Sequence, residues 1–207
     1  MQARELVALL VLSVSGSLAA AQERMPPIPE DKMTEAQKQA VAELIATPRG
    51  RLSNAFVPLL RSPEFMTRLQ KTGEYLRYNS ALPARLSEFV ILITARHWSQ
   101  QYEWFVHHPL ALKAGLKAET AQALAEGRRP VDMADDETVA FDFCDELFRT
   151  QSVSDATYAR ALSEFGEQGV IDMLGVAGYY SMLSMILNTT RVPLPDGEKA
   201  ALPAFPH

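Results

Sequence analysis

The chain has 207 residues, 47% of them hydrophobic and 22% charged, which suits one packed domain and excludes a disordered composition. Its formal net charge is -5, and no basic stripe with interleaved aromatics is present, so the balance argues against a nucleic-acid binder. A local arginine can still hold a small anion, and the single cysteine, Cys144, excludes an intramolecular disulfide.

In chain order, the first segment reads as an export leader. Arg4 precedes an apolar run from Leu6 to Leu12, and small residues lead to Ala19-Ala20-Ala21. This predicts a signal peptide over residues 1–21, cut before Gln22, and a periplasmic or secreted protein. The run is well short of the ~20 apolar residues that span a bilayer. Residues 22–33 form a Pro-rich linker around Met25-Pro26-Pro27-Ile28-Pro29, residues 34–190 a helical domain, and residues 191–207 a Pro-rich tail.

No stretch of the domain alternates at period two, so the expected fold is all-α. Thr34 caps a helix to about Ala46, and Ser62-Pro63-Glu64 starts one that reaches about Tyr78. Pro83 starts the next, with Leu86, Phe89 or Val90, and Ile93 as one apolar stripe. That helix is expected to end near His97-Trp98. Ser99 then caps another, which runs until Pro109 disturbs it or Gly115 stops it. Further helices fit Lys117 to Glu126, Asp135 to Thr150, Ser154 to Phe165, and Glu167 to about Asn188. The last is apolar almost all round, which predicts burial in a core or a subunit interface. Cys144 lies in an apolar helical pattern, as a core residue.

Three of the four histidines, His97, His107 and His108, and both tryptophans fall between Arg96 and Pro109. On a helix opened by Ser99, Gln100, Glu103 and His107 share one face. A Glu four residues before a His can orient the imidazole and form a proton-transfer pair, and Gln100 would sit in a first turn whose free N–H groups favour an anion. A solvated face with an ordinary Glu–His pair has the same spacing. So has a metal site that adds His97 or His108, although consecutive histidines point about 100° apart on a helix.

The run Leu82-Pro83-Ala84-Arg85-Leu86-Ser87-Glu88, the apolar residues to Ile93, Ala95-Arg96, Tyr102-Glu103-Trp104, His107 and Ala111-Lys113-Ala114-Gly115-Leu116 resembles the carboxymuconolactone decarboxylase-like (AhpD-like) family. The peroxidase branch of that family has the pattern Glu-x11-Cys-x2-Cys-x3-His. Counted from Glu88, Gln100 and Glu103 stand at the two cysteine positions and His107 at the histidine, so the redox pair is missing. The resemblance implies an all-helical homo-oligomer (dimer, trimer or hexamer) with a pocket near a subunit interface. It also implies a lyase or isomerase reaction, like that of 4-carboxymuconolactone decarboxylase, on a small organic acid or lactone without cofactor or metal. Glu88, Gln100, Glu103 and His107 are then the catalytic candidates, with His107 and Glu103 as acid/base, Glu88 as relay and Gln100 as donor. Arg85, Arg96, His97 and Trp104 are the substrate-binding candidates. A non-catalytic periplasmic binding or structural oligomer is the alternative, and an AhpD-like peroxidase is disfavoured by the missing cysteines.

Overall fold

The computed structural model describes residues 22–203, which are all-α, with seven α-helices and three short 3-10 turns. The expected leader over residues 1–21 and the last four residues of the tail lie outside the described residues. Helix α1 (Glu35–Ile45) starts at Thr34 through a reciprocal cap. The Thr34 hydroxyl accepts from the Gln37 N–H, and the Gln37 side chain accepts from the Thr34 N–H. Gln37 also donates to the Leu60 carbonyl at 2.9 Å, which ties α1 to a 3-10 turn at Pro58–Arg61. That turn and another at Asn54–Phe56 carry no periodicity in the sequence because each is too short to show one.

Helix α2 (Pro63–Tyr78) opens on Pro63, although the Ser62 hydroxyl makes no capping bond. Helix α3 (Ala84–His97) follows Pro83, and α4 (Gln101–Lys113), α5 (Ala118–Ala125), α6 (Asp135–Thr150) and α7 (Asp155–Thr190) complete the set. Helix α3 is the axis of the fold, touching α2, α4, α5, α6 and α7. Every residue from Phe89 to Arg96 is buried, so the single apolar stripe expected for α3 is corrected to burial all round. A helix packed by five others keeps no solvent face.

The start of α4 also differs from expectation. Ser99 is not its cap but the left-handed terminator of α3, at φ 48°. The Ser99 N–H returns to the Arg96 carbonyl and the Gln100 N–H to the Ala95 carbonyl, closing α3 with a Schellman motif. A residue so placed cannot also open the next helix, and Gln100 takes that role. Its side-chain oxygen accepts from the N–H groups of Tyr102 at 2.5 Å and Glu103 at 3.2 Å. Pro109 is accommodated inside α4, which runs to Lys113 before Gly115 at φ 102°.

Helix α7 contains the two helices expected as separate, broken at Gly166 (φ 67°, ψ 176°). It is long and apolar enough to cross a membrane by length and composition, yet one face is packed against α2, α3 and α6. Met173, Val176, Tyr180, Leu183 and Leu187 are buried there, whereas Ile171, Leu174 and Met185 are exposed. Of the burial expected in a core or a subunit interface, the core part is seen on this one face. The linker lies along the end of α7, where the Arg24 backbone N–H and Nη1 donate to the carbonyls of Thr190 and Thr189. The described part of the tail is docked as well: Leu202 is buried and exchanges two hydrogen bonds with the Gln101 side chain.

Candidate functional site

Helix α4 lies beside α3, and the two helices bring three of the four catalytic candidates together. His107 Nδ1 is 2.6 Å from Glu88 Oε2, and His107 Nε2 is 3.5 Å from Glu103 Oε2. The side chains of His107 and Glu103 are each 3% exposed, and that of Glu88 is 13% exposed, so the imidazole is bracketed by two carboxylates away from bulk water. Tyr180 of α7 presents its ring edge-on to the imidazole, with centroids 4.9 Å apart. Burial pushes the Glu103 carboxyl above the ordinary carboxylate range, against the pull of His107, Arg77 and Arg49, which favour its charged form.

Glu103 and His107 face a cavity of about 200 Å³. Its other polar walls include Arg49, Arg51, Arg77, Tyr102 and Tyr180. Arg49 follows α1 in the loop Thr47-Pro48-Arg49-Gly50-Arg51, and its guanidinium lies over the Phe56 ring at 5.0 Å. Arg77 belongs to the last turn of α2 and lies over Tyr78 at 5.3 Å. Nε and Nη2 of Arg49, Nε of Arg77 and Oε1 of Glu103 are buried with no hydrogen-bond partner among the described residues. Gly73, one turn before Arg77, makes room for this wall: a Cβ there would stand 2.2 Å from the Tyr179 hydroxyl and 2.7 Å from Arg49 Nη2.

The remaining candidates are placed elsewhere. Gln100 is buried, but its oxygen caps α4 and its nitrogen donates to Asn188 at 3.0 Å, so the expected free N–H groups of that first turn are occupied. Arg85 does not line the cavity of His107 and is paired with Asp136 at 2.6 Å and with Glu137, fastening α3 to the start of α6. Arg96 and His97 line a different cavity, of about 340 Å³, on the α6 side of α3. His97 stacks on Phe148 at 4.4 Å, and Arg96 donates to the Pro203 carbonyl. Trp104 is buried against His108, with ring centroids 5.7 Å apart, and does not line the cavity of His107.

Arg49 and Arg77 are the functional candidates that sequence reasoning missed. Arg49 sits in a loop without a motif, and Arg77 looks like an ordinary cation at a helix C-terminus. Cys144 is fully buried on α6, and burial pushes its thiol up to about 12. Among the described residues, no group of three or more His, Cys, Asp or Glu side chains is arranged to hold a metal ion.

No protein-family model matches the chain, and no curated protein matches it. A solved structure does. It is described as an alkylhydroperoxidase AhpD core, an uncharacterized peroxidase-related protein from Ralstonia eutropha JMP134. The two chains superpose with a TM-score of 0.70 over 86% of this chain and 95% of that one, at 17% sequence identity. The fold is AhpD-like. At this identity the likeness concerns the backbone, and the AhpD-like fold hosts a site in this chain whose polar groups are carboxylates, an imidazole and guanidiniums.

Proposed function

We propose that this AhpD-like chain is an enzyme of the lyase or isomerase kind, moving a proton on a small carboxylic acid or lactone. The observation that carries the reading is the imidazole of His107, held at 2.6 Å by Glu88 on one nitrogen and facing Glu103 and the cavity with the other. Glu88 orients the ring, and the His107–Glu103 pair gives or accepts the proton. In a decarboxylation the carbon–carboxylate bond breaks, CO2 leaves, and the electron pair stays on carbon as an enolate. The pair then protonates that carbon. These are side-chain roles and call for no added cofactor. The reading also takes the protein as exported, through the leader over residues 1–21, and as a homo-oligomer.

Thiol-based peroxide reduction fits poorly. It needs a thiolate and a resolving thiol, whereas Gln100 and Glu103 occupy the positions where the resemblance puts them, and Cys144 is buried as a thiol. The test is solvent-deuterium exchange into a panel of small carboxylic acids and lactones, followed by NMR. The intact chain should catalyse exchange or turnover of at least one member, and His107→Ala should abolish it without unfolding. A His107→Ala protein that changes only ligand affinity, with no turnover in the parent, makes the chain a binding protein.

A further inference from the structure

Proton transfer uses Glu103 and His107 and leaves two arginines of the same cavity lining idle. They are Arg49, from the loop after α1, and Arg77, from the end of α2. Three of their N–H-bearing nitrogens are buried without a well-formed hydrogen bond among the described residues, although the Tyr179 hydroxyl lies beside Arg49, and Glu103 Oε1 is buried without a donor. Leaving a buried charged donor unmet costs more than leaving a neutral one, so such a pair is expected to be filled. A planar carboxylate, with two acceptor oxygens, matches guanidinium donors better than any neutral group.

The charges around Glu103 add a second consequence. It is faced by His107 and Tyr102 on its own helix, Glu88 from α3, Arg77 from α2, Arg49 from the loop after α1, and Tyr179 and Tyr180 from α7. With both carboxylates ionised, Arg49 and Arg77 balance them, since Arg51, the third arginine of the lining, is exposed and its charge is screened by water. A further anion would leave excess negative charge in a buried space, which the site relieves most cheaply by gaining a proton. The arginines that favour ionised Glu103 would then be engaged by the ligand, and protonated Glu103 would supply the donor that its side of the cavity lacks.

We propose that Arg49 and Arg77 form a carboxylate-binding subsite, and that filling it draws one proton from solvent onto Glu103. The inference rests on the proton-transfer reading, in which this captured proton is the one delivered to substrate. Affinity for a carboxylate should therefore fall as pH rises, by about tenfold per unit while one whole proton is taken up.

Calorimetric titration of the intact chain with benzoate, and with neutral benzamide, tests this in two buffers of equal pH and different ionisation enthalpy. Benzoate should bind with a heat that differs between buffers by about one proton's worth, and benzamide should bind more weakly with none. Glu103→Gln, which keeps the shape, should retain benzoate binding and lose the buffer dependence. Arg49→Gln and Arg77→Gln should each weaken benzoate by about tenfold or more with unchanged circular dichroism. Equal heats in both buffers, or a buffer dependence that survives Glu103→Gln, would overturn the proton coupling alone. Benzoate that fails to bind at millimolar concentration, or binds both arginine variants as tightly as the parent, would overturn the subsite. Neither result touches the His107-dependent exchange that tests the reaction.

Discussion

At the scale of single residues, the site depends on side chains packed too closely to be exchanged. Gly73 is the clearest case: a methyl group there meets Tyr179 and Arg49 at distances no relaxed structure tolerates. Gly73→Ala should destabilise the chain by about 1–3 kcal/mol, the usual cost of overpacking, seen as a lower midpoint in chemical denaturation. It should also weaken benzoate binding by displacing Arg49, and an unchanged midpoint would show that the wall yields. Cys144 illustrates inertness instead. With its thiol buried and pushed up to about 12, it should react with a thiol reagent only as fast as the chain unfolds. Labelling under native conditions faster than global opening would contradict that burial. The local half of the site was legible in sequence because Glu103 and His107 are one helical turn apart and Glu88 belongs to a recognisable run. Arg49 and Arg77 were not, since only tertiary folding brings them together. Arg85 and Arg96 were favoured over them because they lie near that run, yet one serves the α3–α6 joint and the other a separate cavity.

At the scale of elements, boundaries set by caps and proline were readable, and those set by tertiary closure were not. Thr34, Pro63, Pro83 and Ser154 open helices where the sequence places them, because each acts within its own turn. Ser99 misled because its cap chemistry is overruled by the left-handed closure of α3, a conformation sequence usually signals with Gly. The break at Gly166 is a position of the opposite kind. Its φ of 67° with ψ of 176° is reached at low cost only without a Cβ. Gly166→Ala should cost about 1–3 kcal/mol in thermal or chemical denaturation. A neutral result would mean that the two arms of α7 can realign into one straight helix.

At the scale of the whole molecule, the all-α architecture was legible from periodicity alone, whereas the apolar content of α7 had two readings. Part of the helix is core, and part, with Ile171, Leu174 and Met185, faces outward. Near Met185 the outward part continues into an apolar groove with Met25, Phe65 and Ile186. We expect this face to meet a second copy of the chain, since roughly 800 Å² per partner makes a specific contact. Met185→Lys should shift the sedimenting species toward monomer. A parent that sediments as a monomer at micromolar concentration would remove the expectation. The double use of Gln100 bears on how such a fold changes chemistry over time. Its oxygen holds the second and third amides of α4 and its nitrogen holds Asn188. A lineage moving between this site and a two-thiol site must replace residues 100 and 103 together. Cysteine at 100 alone gives up the side-chain cap and the link to α7 without gaining a partner thiol. Cysteine at 103 alone removes the proposed acid and leaves a solitary buried thiol. Each single exchange loses a role and gains none, so two coordinated substitutions, one of them at a helix cap, stand between the two arrangements.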